Sequence, residues 1–147
     1  ADRTRPEQAE GLRPSLAMTA EAMLMRMYLG RGRGDAGLAQ GADWLYGNLP
    51  EMGNPQRPLR DCYYWYYATQ AMFHLQGEHW VRWNEKMRLA LEPTQVVSGP
   101  WAGSWHPEKP VRDRWGHSGG RLYVTAMHLL MLEVYYRVLP LYQELSK

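Results

Sequence analysis

The sequence predicts an all-α fold built from helix pairs. Apolar residues recur at three- and four-residue spacings in successive segments from Ser15 onward. Glycine and proline stand between those segments, where helices stop. No segment reads as a strand. Tyr63 to Tyr67 has β propensity, but its continuation, Ala68-Thr69-Gln70-Ala71-Met72, argues for helix.

Residues 1–14 are polar and carry prolines, so they read as a poorly ordered tail. Residues 15–147 read as one domain. A first helix runs from Ser15 to Leu29, with Leu16, Ala20, Met23, Leu24 and Met27 at helical spacing. Gly30-Arg31-Gly32-Arg33-Gly34-Asp35 ends it in a turn. A second fits Ala36 to Leu49, with Leu38, Ala42, Leu45 and Leu49 on one stripe. Pro50 to Pro58 is a loop. Asp61 is a plausible N-cap for a third helix reaching Leu75, and Gly77 breaks it. A fourth runs from Glu78 to Leu91, closed by Pro93. Residues 94–118 show no helical period but are rich in glycine, proline and tryptophan, so they read as an ordered aromatic loop. A fifth helix spans Gly119 to Arg137, and a shorter sixth follows Pro140.

Composition bounds what such a chain does. At 147 residues it is one domain's worth, able to bury about 70% of the surface its unfolded form exposes. A net charge of +2 is too small to argue for nucleic acid. No apolar run approaches the roughly 18 residues of a membrane span, and the first residues hold no apolar signal core. The single cysteine, Cys62, excludes an intrachain disulfide and a Cys-based zinc cluster. Ten Tyr and seven Trp against one Phe predict an aromatic interior with a hydrogen-bonding fringe. Arginine dominates the cations, a bias that genome composition explains.

Three segments align on a threonine: Met18-Thr19-Ala20, Ala68-Thr69-Gln70 and Val124-Thr125-Ala126. Their period of about 50 residues, with two helices per unit, is a helical-repeat signature.

Gln95-Val96-Val97-Ser98-Gly99-Pro100-Trp101 resembles the Gln-x-x-x-Gly-x-Trp repeat motif of squalene and oxidosqualene cyclases, and Gly103-Ser104-Trp105 resembles its other common ending. Gly119-Gly120-Arg121-Leu122-Tyr123 and Tyr64-Trp65-Tyr66-Tyr67 are similar to inner-helix starts of the same group. Over residues 15–145 the chain thus resembles the squalene-cyclase-like, terpenoid cyclase/prenyltransferase α/α-toroid superfamily, of a type found in bacteria. A complete ring of that superfamily has six helix pairs, and this chain reads as about three, a partial ring. The resemblance also makes Gln95, Gly99, Trp101, Gly103 and Trp105 structural, with glutamine capping a helix end and an indole stacked on it. Inner-helix aromatics would line a concave face. Tyr64, Trp65, Tyr67, Arg121 and Tyr123 are its candidate ligand-binding residues, with a pocket expected near Tyr64, Tyr67 and Tyr123.

Catalytic motifs are not readable. The five aspartates, at 2, 35, 43, 61 and 113, form neither Asp-x-Asp-Asp nor Asp-Asp-x-x-Asp. Asp61 and Cys62 are adjacent rather than one residue apart, and Val124 stands where the prenyltransferase zinc histidine would, so no metal and no cofactor are expected. Asp61 then reads as an N-cap, Cys62 as a small buried residue, and His128 as a satisfied core histidine. The function expected is a non-catalytic binding or assembly module whose aromatic concave face takes a peptide or an apolar ligand. The alternative is part of a cyclase- or prenyltransferase-like enzyme acting on isoprenoid lipid, with its acid outside this chain. An open half-ring exposes apolar flanks, so a second copy or the remainder of a longer chain is the partner expected.

Overall fold

The computed structural model describes residues 15–137. The tail at 1–14 and the sixth helix expected after Pro140 lie outside those residues. Among the described residues there are six α-helices: α1 (Leu16–Tyr28), α2 (Ala36–Tyr46), α3 (Cys62–Leu75), α4 (Gly77–Leu91), α5 (Gly116–Leu132) and α6 (Val134–Arg137). A 3-10 turn, Glu92–Thr94, follows α4. Among the described residues no strand forms, only isolated bridges at Gly53–Pro58 and Gln95–Trp105. The chain is all-α.

Local chemistry sets the boundaries. Ser15 Oγ accepts the Met18 amide at 3.2 Å and caps α1. Gly30, at φ 83°, lets the chain leave α1. Asp35 caps α2 by accepting the Leu38 amide at 3.0 Å, and also pairs with Arg26 at 3.2 Å. α2 stops at Tyr46, before the expected Leu49. α5 begins at Gly116, earlier than expected, yet Gly120 (φ 67°, ψ −168°) interrupts it, so its long straight part starts at Arg121. The expected run to Arg137 is split after Leu132, and α6 follows.

α3 is the centre. It packs against α1, α4 and α5, while α2 packs on α1 and touches α4. Trp65, Ala68, Thr69, Ala71 and Met72 on α3 are almost wholly buried. Gly41 of α2 lies so close to α1 that a Cβ there would meet Met23 Sδ at 2.7 Å. Trp83 of α4 is fully buried and donates its indole N–H to Thr69 Oγ1 at 3.0 Å. Thr125 makes a similar contact on α5, accepting the Trp105 backbone amide at 3.1 Å.

The segment between α4 and α5 is knitted to the helices. The Val96 amide donates to Ser104 O at 2.9 Å and the Gly103 amide to Val96 O at 2.7 Å. Gly99 and Gly103 take positive φ, 78° and 83°. Gln95 Nε2 donates within this turn, to Gly103 O at 3.0 Å, and not to a helix end. The capping role falls to Trp105, whose indole N–H donates to Leu91 O, the last carbonyl of α4, at 2.9 Å. An indole reaches that carbonyl from the buried side, where a glutamine in the exposed turn does not.

Candidate functional site

A cleft of about 1460 Å³ opens where the first turns of α1 and α3 meet the start of α5. Ser15 to Met18 come from α1, and Tyr63, Tyr64 and Trp65 from α3. Trp115, Ser118, Gly119 and Tyr123 come from the start of α5, while the stretch from Tyr46 to Glu51 closes another side.

Arg60-Asp61-Cys62, the entry to α3, builds the floor. Asp61 Oδ1 accepts the Tyr64 amide at 3.1 Å and the Trp115 indole N–H at 3.2 Å. Its Oδ2 accepts from Arg114 at 3.2 Å. Asp61 is thus an N-cap, and it also ties Trp115 to α3. Arg60 is buried, and its Nη1 donates to the carbonyls of His106 (2.9 Å), Lys109 (3.3 Å) and Val111 (3.1 Å). Asp113, also buried, lies 3.8 Å from Arg60 Nε. It accepts the Cys62 amide at 2.9 Å and thiol at 3.3 Å, and the Trp115 amide at 2.8 Å. Tyr123, on the cleft wall, stands beside Cys62.

Burial dominates the electrostatics of this cluster. Burial pushes the Cys62 thiol well above its ordinary range, and Asp113 adds to the rise. A thiol held protonated is a poor nucleophile. Burial raises Asp113 as well, opposed by the Trp115 and Cys62 amides and then by Arg60. The phenols of Tyr63, Tyr64 and Tyr123 are pushed up, chiefly by burial, and stay protonated at neutral pH.

Tyr64, Trp65 and Tyr123 of the five expected ligand-binding residues share the cleft wall. Tyr64 and Trp65 are almost fully buried there, and the Tyr64 hydroxyl donates to Asn48 O at 2.8 Å. Tyr67 packs edge-on against Tyr63 and Tyr66, both at 5.0 Å. Arg121 lies elsewhere, 4.8 Å above the Trp101 ring and donating to Ser104 Oγ at 3.0 Å. Sequence reasoning missed Tyr63, Trp115, Arg112 and Arg114. Trp115 sits two residues from Asp113, yet no local pattern told that Asp113 would turn back onto Cys62.

His128 corrects an expectation. It is fully buried with its ring edge-on to Trp105 at 5.2 Å, but neither ring nitrogen has a hydrogen-bond partner. The apolar register placed it in the core, where α5 offers it no acceptor. Among the described residues, no three His, Cys, Asp or Glu side chains stand together as metal ligands. No described helix is long and apolar enough to cross a membrane. Comparison with protein families, with characterised proteins and with solved structures finds no match to this chain.

Proposed function

We propose that this chain is a non-catalytic binding module of squalene-cyclase-like, α/α-toroid type, and that the cleft at the first turns of α1 and α3 receives a largely apolar ligand or a peptide. One observation carries the reading: a volume of about 1460 Å³ is walled by Leu16, Leu49, Tyr63, Trp115 and Tyr123. Drug-sized ligands occupy pockets of roughly 300–1,000 Å³ with apolar walls and a few placed polar groups. The reactive groups beside the cleft support a non-catalytic role. Cys62 and Asp113 are spent on each other and on backbone amides, and Asp61 on capping. Two features support the partial-ring reading. α3 lies between α1 and α5, and both outer helices carry exposed apolar side chains, Met25 and Leu29 on one side and Leu122 and Leu129 on the other.

A fluorescence titration with N-phenyl-1-naphthylamine, a neutral apolar probe, tests the reading. The probe should bind one site per chain. Ser118 is exposed and lines the cleft, so Ser118→Trp should fill it without touching the core. The expected result is at least about tenfold weaker binding at an unchanged melting temperature. Undiminished binding by Ser118→Trp would place the probe elsewhere and refute the reading.

A further inference from the structure

We infer that the ligand of this cleft is an amphipathic anion, an apolar or aromatic body bearing one negatively charged end. This rests on the cleft being the binding site, and goes beyond it by fixing the ligand's charge. The balance of free charge is the first argument. The floor carboxylate, Asp61, is held by Arg114 at 3.2 Å and by two N–H donors. Asp113 is sealed behind the wall. Two cations remain on the cleft, Arg112 and Lys86, both exposed. Neither makes a hydrogen bond or ion pair among the described residues. Besides Asp61, Glu51 is the acidic side chain on the cleft lining, leaving cations in excess.

Helix direction is the second argument. α1 and α3, of 13 and 14 residues, both present their amino-terminal turns here. The start of α3 already holds the Asp61 carboxylate, so the start of α1, capped by the neutral Ser15 hydroxyl, is the one whose partial positive charge favours a ligand anion. α2 ends beside it at Tyr46 and Gly47, and its carbonyl end offsets part of that charge.

The walls say what the rest of the ligand is. Tyr63 and Trp115 lie 5.9 Å apart and Tyr123 lines the same hollow, so three aromatic side chains are available to an apolar or aromatic body. A guanidinium matches a carboxylate, sulfonate or phosphate oxygen pair bidentately, which gives Arg112 its role as the reader of the charged end.

Paired probes test this. 1-Anilinonaphthalene-8-sulfonate shares its ring system with N-phenyl-1-naphthylamine but carries a sulfonate. The anionic probe should bind about tenfold more tightly than the neutral one, and added salt should weaken it alone. Arg112→Ala should weaken the anionic probe several-fold and leave the neutral probe unchanged. Lys86→Ala should act in the same direction. Near-ultraviolet circular dichroism of each variant checks that the aromatic packing is intact. Equal affinity of the two probes, or indifference of the anionic probe to both variants, would overturn the anion inference while leaving the cleft as a binding site. Binding of neither probe would overturn the cleft reading beneath it.

Discussion

His128 shows how a single residue writes a pH dependence into this fold. Burial pushes its pKa down to about 3, and the charge of Arg60 adds to the effect. Unfolded, the imidazole takes a proton near pH 6.5. The folded state then binds fewer protons than the unfolded one, so stability is full above pH 6.5 and is lost as pH falls toward 3. The loss is about 1.4 kcal/mol per pH unit across that window for this one group. His74 is lowered by burial too, and contributes with the same sign. Urea unfolding at pH 7 and pH 5 should show His128→Leu losing less stability on acidification than the unaltered chain. Equal losses would contradict this account. Trp105 is the second telling residue. Trp105→Phe keeps the ring but removes one of two donors to the Leu91 carbonyl, the Thr94 hydroxyl at 2.8 Å being the other, and should cost about 1 kcal/mol. Both positions were partly legible in the sequence. The apolar register put His128 in the core, and the Gly-Ser-Trp motif singled out Trp105. Their partners were not legible, because a hydrogen bond across 14 residues, or the lack of one, leaves no local pattern.

Among elements, the α3–α4 junction departs most from what the sequence suggests. Gly77 breaks the helix at positive φ, 67°, as expected, but Gln76 before it also takes the unusual conformation, φ 60° and ψ −162°. It is the single described non-glycine residue with positive φ, in a region that glycine alone visits freely. Its side-chain amide donates back to Phe73 O. Gln76→Gly relieves that backbone, and should raise stability by about 1 kcal/mol in chemical denaturation. Destabilisation would show that the side-chain contact outweighs the strain. The helix cores were readable because apolar spacing reports which face is buried. The ends were less so. α2 stops at Tyr46, where Gly47 and Asn48 turn the chain, while Leu49 only continues the apolar stripe.

At the scale of the whole molecule, α3 organises everything else. Its entry segment, Arg60-Asp61-Cys62, holds the α4–α5 connection through three carbonyls and two carboxylates, and so shapes the cleft beside it. The aromatic excess in the composition predicts an aromatic interior, and Tyr64 and Trp65 are buried in it beside the cleft. Composition does not say which aromatics converge. Tyr63 and Trp115 meet only because Asp61 accepts from the indole of a residue 54 positions away.

The central claim is that ligand enters this cleft and not the exposed aromatic surface at Trp101 and Arg121. Indole N–H resonances in a two-dimensional NMR titration with 1-anilinonaphthalene-8-sulfonate separate the two directly. Trp115 lines the cleft, while Trp101 is 59% exposed beneath Arg121. The account predicts that the Trp115 indole signal moves with the anionic probe and the Trp101 signal stays. Movement of Trp101 with Trp115 unmoved would contradict it.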